Sequence, residues 1–195
     1  MVPPVEQRRD ATYADLEAVP SHQVAEIIQG VLHVMPRPVP RHARVSSRLT
    51  MEIGGPFDRG RGGPGGWQIL DEPELHFPNL AVKAGKDVLV PDLAGWRVER
   101  MPELPEEAFF ALAPDWICEV LSTSTEEIDR KEKMPTYARE QVRHAWLVDP
   151  IARTLEVFRL NGREWVGVGV HREDARVRAE PFEAIELDLS VLWTR

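Results

Sequence analysis

At 195 residues and 22.2 kDa the chain is long enough for one domain with a sizeable core. A hydrophobic share of 43% and a charged share of 29% exclude wholesale disorder, and a net charge of −8 excludes a protein whose whole surface binds nucleic acid. The single cysteine, Cys118, permits no intramolecular disulfide, and no apolar run approaches the roughly 20 residues of a bilayer span. The first ten residues lack the apolar centre of a signal peptide, so the expected compartment is the cytoplasm, with no membrane partner.

Residues 1–11 read as a loose arm ahead of a single domain over 12–195. Thr12 with Asp15 three residues on forms a capping box, opening a short helix that Pro20 ends. Val24–Ile28 and Val31–Met35 flank Gln29-Gly30 as a hairpin. Glu26 shares a strand face with Val24 and Ile28, pointing inward, and a salt bridge or an edge position explains it as readily as a functional role. Arg41–Ile53 reads as a helix, since Val45, Leu49 and Ile53 recur every fourth residue and Gly54-Gly55 supplies a stop. Arg41, Arg44 and Arg48 form a positive edge beside that stripe, with His42 near its start. From Arg37 to Arg61 six arginines face two acids, which a solvated helix face and a loop also explain.

Gly54–Gly66 matches no phosphate-loop spacing and reads as a flexible loop. Trp67–Asp71, Glu74–Phe77 and Asp87–Trp96 follow as strands of a meander, and Pro102–Ala113 as a short acidic turn or helix. Beyond the strand Trp116–Leu121, Ser124 and Glu127 make a capping box for a helix that Pro135 must kink or restart. His144–Asp149 is a buried strand. Thr154–Leu160 and Glu164–Val170 form a hairpin around Asn161-Gly162, and Phe182–Trp193 is a last strand with a helical turn. The order predicts a mixed α/β or α+β domain.

Two apolar runs carry the chemistry. Val88–Ala94 holds Asp92 directly after Pro91, and Trp116–Ser122 holds Glu119 in a run otherwise almost free of charge. A carboxylate in a buried strand costs several kcal/mol unless a positive charge meets it. Two such acids, with Lys131 and Lys133 soon after, point to a shared ion. Mg²⁺ takes hard oxygen ligands and keeps several waters, so two or three protein carboxylates suffice. Such an ion, with a nearby ammonium, serves phosphodiester hydrolysis. Lys131 lies about 200° around a helix from Lys133, so both cannot face the ion. Cys118 reads as a buried hydrophobe, and the six histidines lack ligand spacing.

Tyr13 with Leu16, Glu26-Ile-Ile-Gln-Gly30, Met35-Pro36, His42, Val90-Pro-Asp92, Glu119-Val-Leu-Ser122, Asp129-x-x-x-Lys133-x-x-x-Tyr137 and Trp146-Leu-Val-Asp-Pro150 together resemble one family. It is the Uma-type family of restriction-endonuclease-like proteins, once catalogued as a domain of unknown function, within the PD-(D/E)XK nuclease superfamily. The resemblance spans residues 12 to 160. It implies a restriction-endonuclease-like fold, a central mixed sheet flanked by helices with additional hairpins. It also implies a DNA endonuclease with Asp92 and Glu119 as ligands of Mg²⁺ or Mn²⁺, Glu26 as an auxiliary acid and Lys133 as the catalytic lysine. Leu121 stands where the superfamily normally has its lysine, and Lys133 on the next helix takes its place. Asp129 and Lys133 also fit an ordinary i,i+4 ion pair.

The expected function is metal-dependent hydrolysis of DNA, with Arg41, His42, Arg44 and Arg48 meeting the phosphate backbone and a homodimer cutting both strands. The alternative is a catalytically inactive nuclease-fold binding or regulatory module whose carboxylates and lysines form a buried ion-pair network. An enzyme acting on RNA or another phosphoester comes third.

Overall fold

The computed structural model describes residues 6–194, with side chains from residue 10 onward. Two main sheets stack against each other with helices packed on them. The larger sheet runs β11-β10-β9-β8-β7-β4, with β4 Trp67–Asp71, β7 Leu93–Arg97, β8 Trp116–Val120, β9 His144–Asp149, β10 Thr154–Asn161 and β11 Glu164–Arg172. β8 and β9 are parallel, joined by a helical crossover, and the other neighbours are antiparallel. The smaller sheet runs β1-β3-β2-β6-β5, with β1 Glu6–Arg9, β2 Gln23–Ile28, β3 Val31–Pro36, β5 Leu75–Pro78 and β6 Lys86–Leu89.

The larger sheet is apolar on both faces, as its near-continuous hydrophobic strands require. Leu93, Cys118, Val120, Trp146 and Val148 face a core covered by helix α2, Pro40–Ile53, and by the C-terminal segment. That segment contains the short pair β12 Arg176–Val177 and β13 Leu187–Asp188, then α5 Ser190–Trp193. Ala94, Ile117, Leu121 and Leu147 face a second core. It is closed by the smaller sheet and by the crossover helix: α3 Glu126–Ile128, a wide π-helical turn Asp129–Lys133, and α4 Met134–Arg139. Helix α1, Tyr13–Glu17, covers the outer face of the smaller sheet, opened by the Thr12/Asp15 capping box.

Several local expectations are corrected. Within the expected loose arm, Glu6–Arg9 pair with β3, while residues 1–5 lie outside the described residues. Gly54–Gly66 is not loop throughout: a π-helical turn over Gly54–Asp58 extends α2, because Phe57 buries in the first core. Asp87–Trp96 is not one strand of a single meander. Pro91 has no N–H to donate, and the chain crosses there from the smaller sheet into the larger.

Pro102–Ala113 forms no helix, since Phe110 bridges to Leu75 and packs on Trp96. The helix after β8 begins at Thr125 without a side-chain cap, and Glu127 pairs with Lys131 at 2.6 Å in place of the predicted capping box. In the β10–β11 hairpin the two-residue loop is Gly162-Arg163, one place later than Asn161-Gly162. Gly162 has φ +67, a left-handed value that suits its first central position.

Candidate metal and catalytic site

The antiparallel register of β7 and β8 pairs Leu93 with Cys118 and Ala94 with Ile117. Carried one step further, it sets Asp92 opposite Glu119 at the end of the ladder, with side chains on one face. Asp92 is fixed there from two sides. Its Oδ2 accepts the Val120 N–H at 2.7 Å, and its Oδ1 lies 3.2 Å from His42 Nε2, in the first turn of α2. Glu119 accepts the Tyr137 hydroxyl at Oε1, 2.6 Å away, and the same oxygen is 2.8 Å from Lys133 Nζ.

Glu26 arrives from the smaller sheet. Its Oε1 accepts the Val90 N–H at 2.6 Å and lies 3.0 Å from Lys133 Nζ. That ammonium also donates to the Val90 carbonyl at 3.3 Å. Val90–Asp92, where the chain changes sheets, is therefore held on both sides of its turn. The wide turn Asp129–Lys133 aims Lys133 inward: Nζ is 3.8 Å from Asp129 Oδ1, farther than from either glutamate. The i,i+4 ion pair is thus the longest of its three ion pairs. Lys131 points to solvent and pairs with Glu127. Wide turns of this kind recur at functional sites because they re-aim side chains inside a helix.

Four carboxylates, Glu26, Asp92, Glu119 and Asp129, thus share Lys133 and His42. Burial and the excess of negative charge set the direction in which each group's pKa moves. Burial drives the Glu119 pKa well up despite Lys133, and Asp129, Asp92 and Glu26 push it further. Burial also lifts Asp129 to about 7, against the pull of Lys133. Burial alone would lower His42, but its hydrogen bond to Asp92 and the charges of Asp92 and Asp129 raise it. Lys133 behaves likewise: burial opposes its charge, and Glu119 and Glu26 more than restore it, holding it well above the ordinary lysine range. The two glutamates therefore favour the charged, donating form of Lys133.

These groups line a cleft of about 750 Å³. Its donors are carboxylate oxygens, the hard ligands that suit Mg²⁺ and Mn²⁺, and their surplus charge is what a divalent cation relieves. The protein hydrogen bonds to Glu119 and Glu26 converge on one oxygen of each, Oε1. Among the described residues no group of three or more His, Cys, Asp or Glu is gathered closely enough to ligate a metal. A site built on Asp92 and Glu119 with waters completing the shell is compatible with that.

Of the expected site residues, Asp92, Glu119, Lys133, Glu26 and His42 meet in the cleft, and Arg41 stands on its rim. The expected arginine edge does not hold together. Arg48 Nη1 donates to the Val191 carbonyl and to Thr194 Oγ1, which ties α2 to α5, and Arg44 lies outside the cleft. His42 points at Asp92, away from any outer phosphate-binding face. Sequence reading missed Asp129 and Tyr137 as site residues, although their spacing of four on either side of Lys133 carried the signal. His33, fully buried opposite Glu26 with Nε2 3.1 Å from Glu132 Oε2, gave none.

Residues 10–191 match the model of a family described as "Uma2: Putative restriction endonuclease". The chain belongs to the Uma2 family. A crystal structure of a protein from Anabaena variabilis ATCC 29413, described as "a putative nuclease belonging to DUF820", superposes with a TM-score of 0.73 at 23% identity, over 94% of this chain and 97% of that one. At that identity the likeness establishes the fold: a mixed sheet flanked by helices, as expected. No curated protein sequence matches this Uma2 chain. Among its described residues no helix is long and apolar enough to cross a membrane.

Proposed function

We propose that the chain is a metal-dependent endonuclease that hydrolyses phosphodiester bonds in DNA, acting in the cytoplasm. The observation that carries this reading is the opposition of Asp92 and Glu119 at the open end of β7 and β8, beside the buried ammonium of Lys133. Asp92 and Glu119 would hold Mg²⁺ or Mn²⁺, and the bound ion supplies Lewis acidity and a water of lowered pKa. The chain's own groups set the stage for it. The Val120 N–H and His42 hold the Asp92 carboxylate in one orientation, and Tyr137 does the same for Glu119. Lys133 Nζ, kept protonated by Glu119 and Glu26, places a fixed positive charge where a phosphoryl oxygen gains negative charge. Arg41 at the rim meets a flanking phosphate. Two copies related by a two-fold axis, the expected homodimer, would bring two such sites together on one DNA molecule.

The test is nicking or linearisation of closed circular DNA, both duplex and single-stranded, with Mg²⁺ or Mn²⁺. Activity in the wild type, lost at least about a hundredfold in both Asp92→Ala and Glu119→Ala, is the expected result. Activity that survives both substitutions would refute the assignment.

A second reading has its own support. Lys133 sits 2.8 Å from Glu119 and 3.0 Å from Glu26, which is also how a buried ion-pair network of a catalytically inactive binding module is arranged. Such a network takes up no metal, so metal titration separates the two.

A further inference from the structure

The floor of the cleft is deep. Side chains of Glu119 and Lys133 are 3% exposed and that of Asp92 is 13% exposed. A scissile phosphate must therefore descend between the walls to reach them. One wall is the strap Pro36–Pro40, stiffened by three prolines and fastened where Arg37 Nη2 donates to the Ser21 carbonyl at 2.8 Å. Other parts of the lining come from the Ser122–Thr125 turn and from Pro150-Ile151. A cleft of about 750 Å³ is the size that surrounds a small molecule, roughly 300–1,000 Å³, so it has room for a nucleotide between its walls.

The chemistry of the walls agrees with their size. Leu16, Val19, Val39 and Ile151 line the cleft, and Val39 and Ile151 are each 60% exposed. A duplex turns its phosphates outward and stacks its bases inside, so it has nothing to lay on such a wall. An unpaired strand does, because its bases are splayed out. Charge points the same way. Beyond the acidic floor, Glu17, Glu72 and Glu74 line the cleft, while the basic side chains in its lining besides Lys133 and His42, both already engaged with the acids, are Arg37 and Arg41. Duplex binders neutralise many phosphates, and a duplex carries about one charge per 1.7 Å against about 3.4 Å along one strand. This acidic cleft repels the denser polyanion more strongly.

We propose that the cleft takes an unpaired DNA strand, a single-stranded segment or flap, in preference to intact duplex. The proposal rests on the hydrolase reading above and names its substrate. The test uses three end-labelled substrates of one sequence with Mn²⁺: a single strand, its blunt duplex, and the duplex with an unpaired flap. Asp92→Ala serves as the control for contaminating nuclease. The expected result is that single strand and flap are cut at least about tenfold faster than duplex, with flap cuts in the unpaired arm. Duplex cut as fast as single strand, with Asp92→Ala inactive, overturns this proposal and leaves the hydrolase reading standing. No cutting of any substrate overturns both. Val39→Asp and Ile151→Asp, at two exposed positions, should raise KM for the single strand several-fold with kcat nearly constant, because a charge replaces the surface on which a base lies. An unchanged KM in both overturns the role given to the apolar wall.

Discussion

Lys133 is the residue whose loss the cluster tolerates least. Its ammonium meets Glu119 and Glu26 with almost no solvent to share the charge. In chelating buffer at pH 8, Lys133→Met leaves both glutamates facing each other without a cation, and urea unfolding should register a loss of about 3–5 kcal/mol. Part of that loss should return at pH 5, where Glu119, already pushed toward its protonated form by burial, takes up a proton. Asp129 gives a second reading of the same charge excess. Burial lifts its pKa to about 7, so the folded chain holds this proton more tightly than the unfolded chain does. The carboxyl's contribution to stability is then present below the ordinary carboxylate range and is lost as pH rises toward about 7. Without metal, the unfolding free energy of wild type should fall more steeply from pH 5 to pH 8 than that of Asp129→Asn. Equal slopes would contradict the account.

Two elements place the cluster, and each depends on one tightly packed position. β7 brings Asp92 to Glu119, and its Gly95 lies between two indoles: a Cβ there would stand 3.2 Å from Trp67 Cε3 and 3.3 Å from Trp116 Cε3. Gly95→Ala should therefore cost about 1–3 kcal/mol in thermal or urea unfolding. α2 carries His42, and Phe57 pins the wide turn that extends it into the first core. Phe57→Ala should cost about 3–5 kcal/mol, with the cavity left against Phe182 as the cause.

Elements such as these were largely legible in the sequence. The apolar stripe of α2, the capping box of α1 and the Gln29-Gly30 turn between β2 and β3 all follow from spacing that local physics enforces. What the sequence hid was set by distant packing. No local pattern says that Pro91 sends the chain from one sheet to the other. Nor does one say that Phe57 prolongs a helix through Gly54-Gly55, or that Phe110 pulls an acidic stretch onto β5 as a bridge.

At the scale of the molecule, the site exists because two sheets share one core and part at Val90–Asp92. The smaller sheet contributes Glu26, the larger one Asp92 and Glu119, and the crossover helix Lys133, Asp129 and Tyr137. The acids at 92 and 119 were readable as buried charges in apolar runs, and Lys133 as the inward one of two lysines. The fate of the arginines was not readable, since Arg48's partners lie more than 140 residues away on the C-terminal segment. The proposal that Asp92 and Glu119 hold a cation is open to direct measurement by calorimetric titration of the metal-free protein with Mn²⁺. The account predicts saturable binding of one ion per chain, abolished in both Asp92→Ala and Glu119→Ala variants that remain folded. Absence of saturable binding in the wild type, or binding unaltered in both variants, would contradict it.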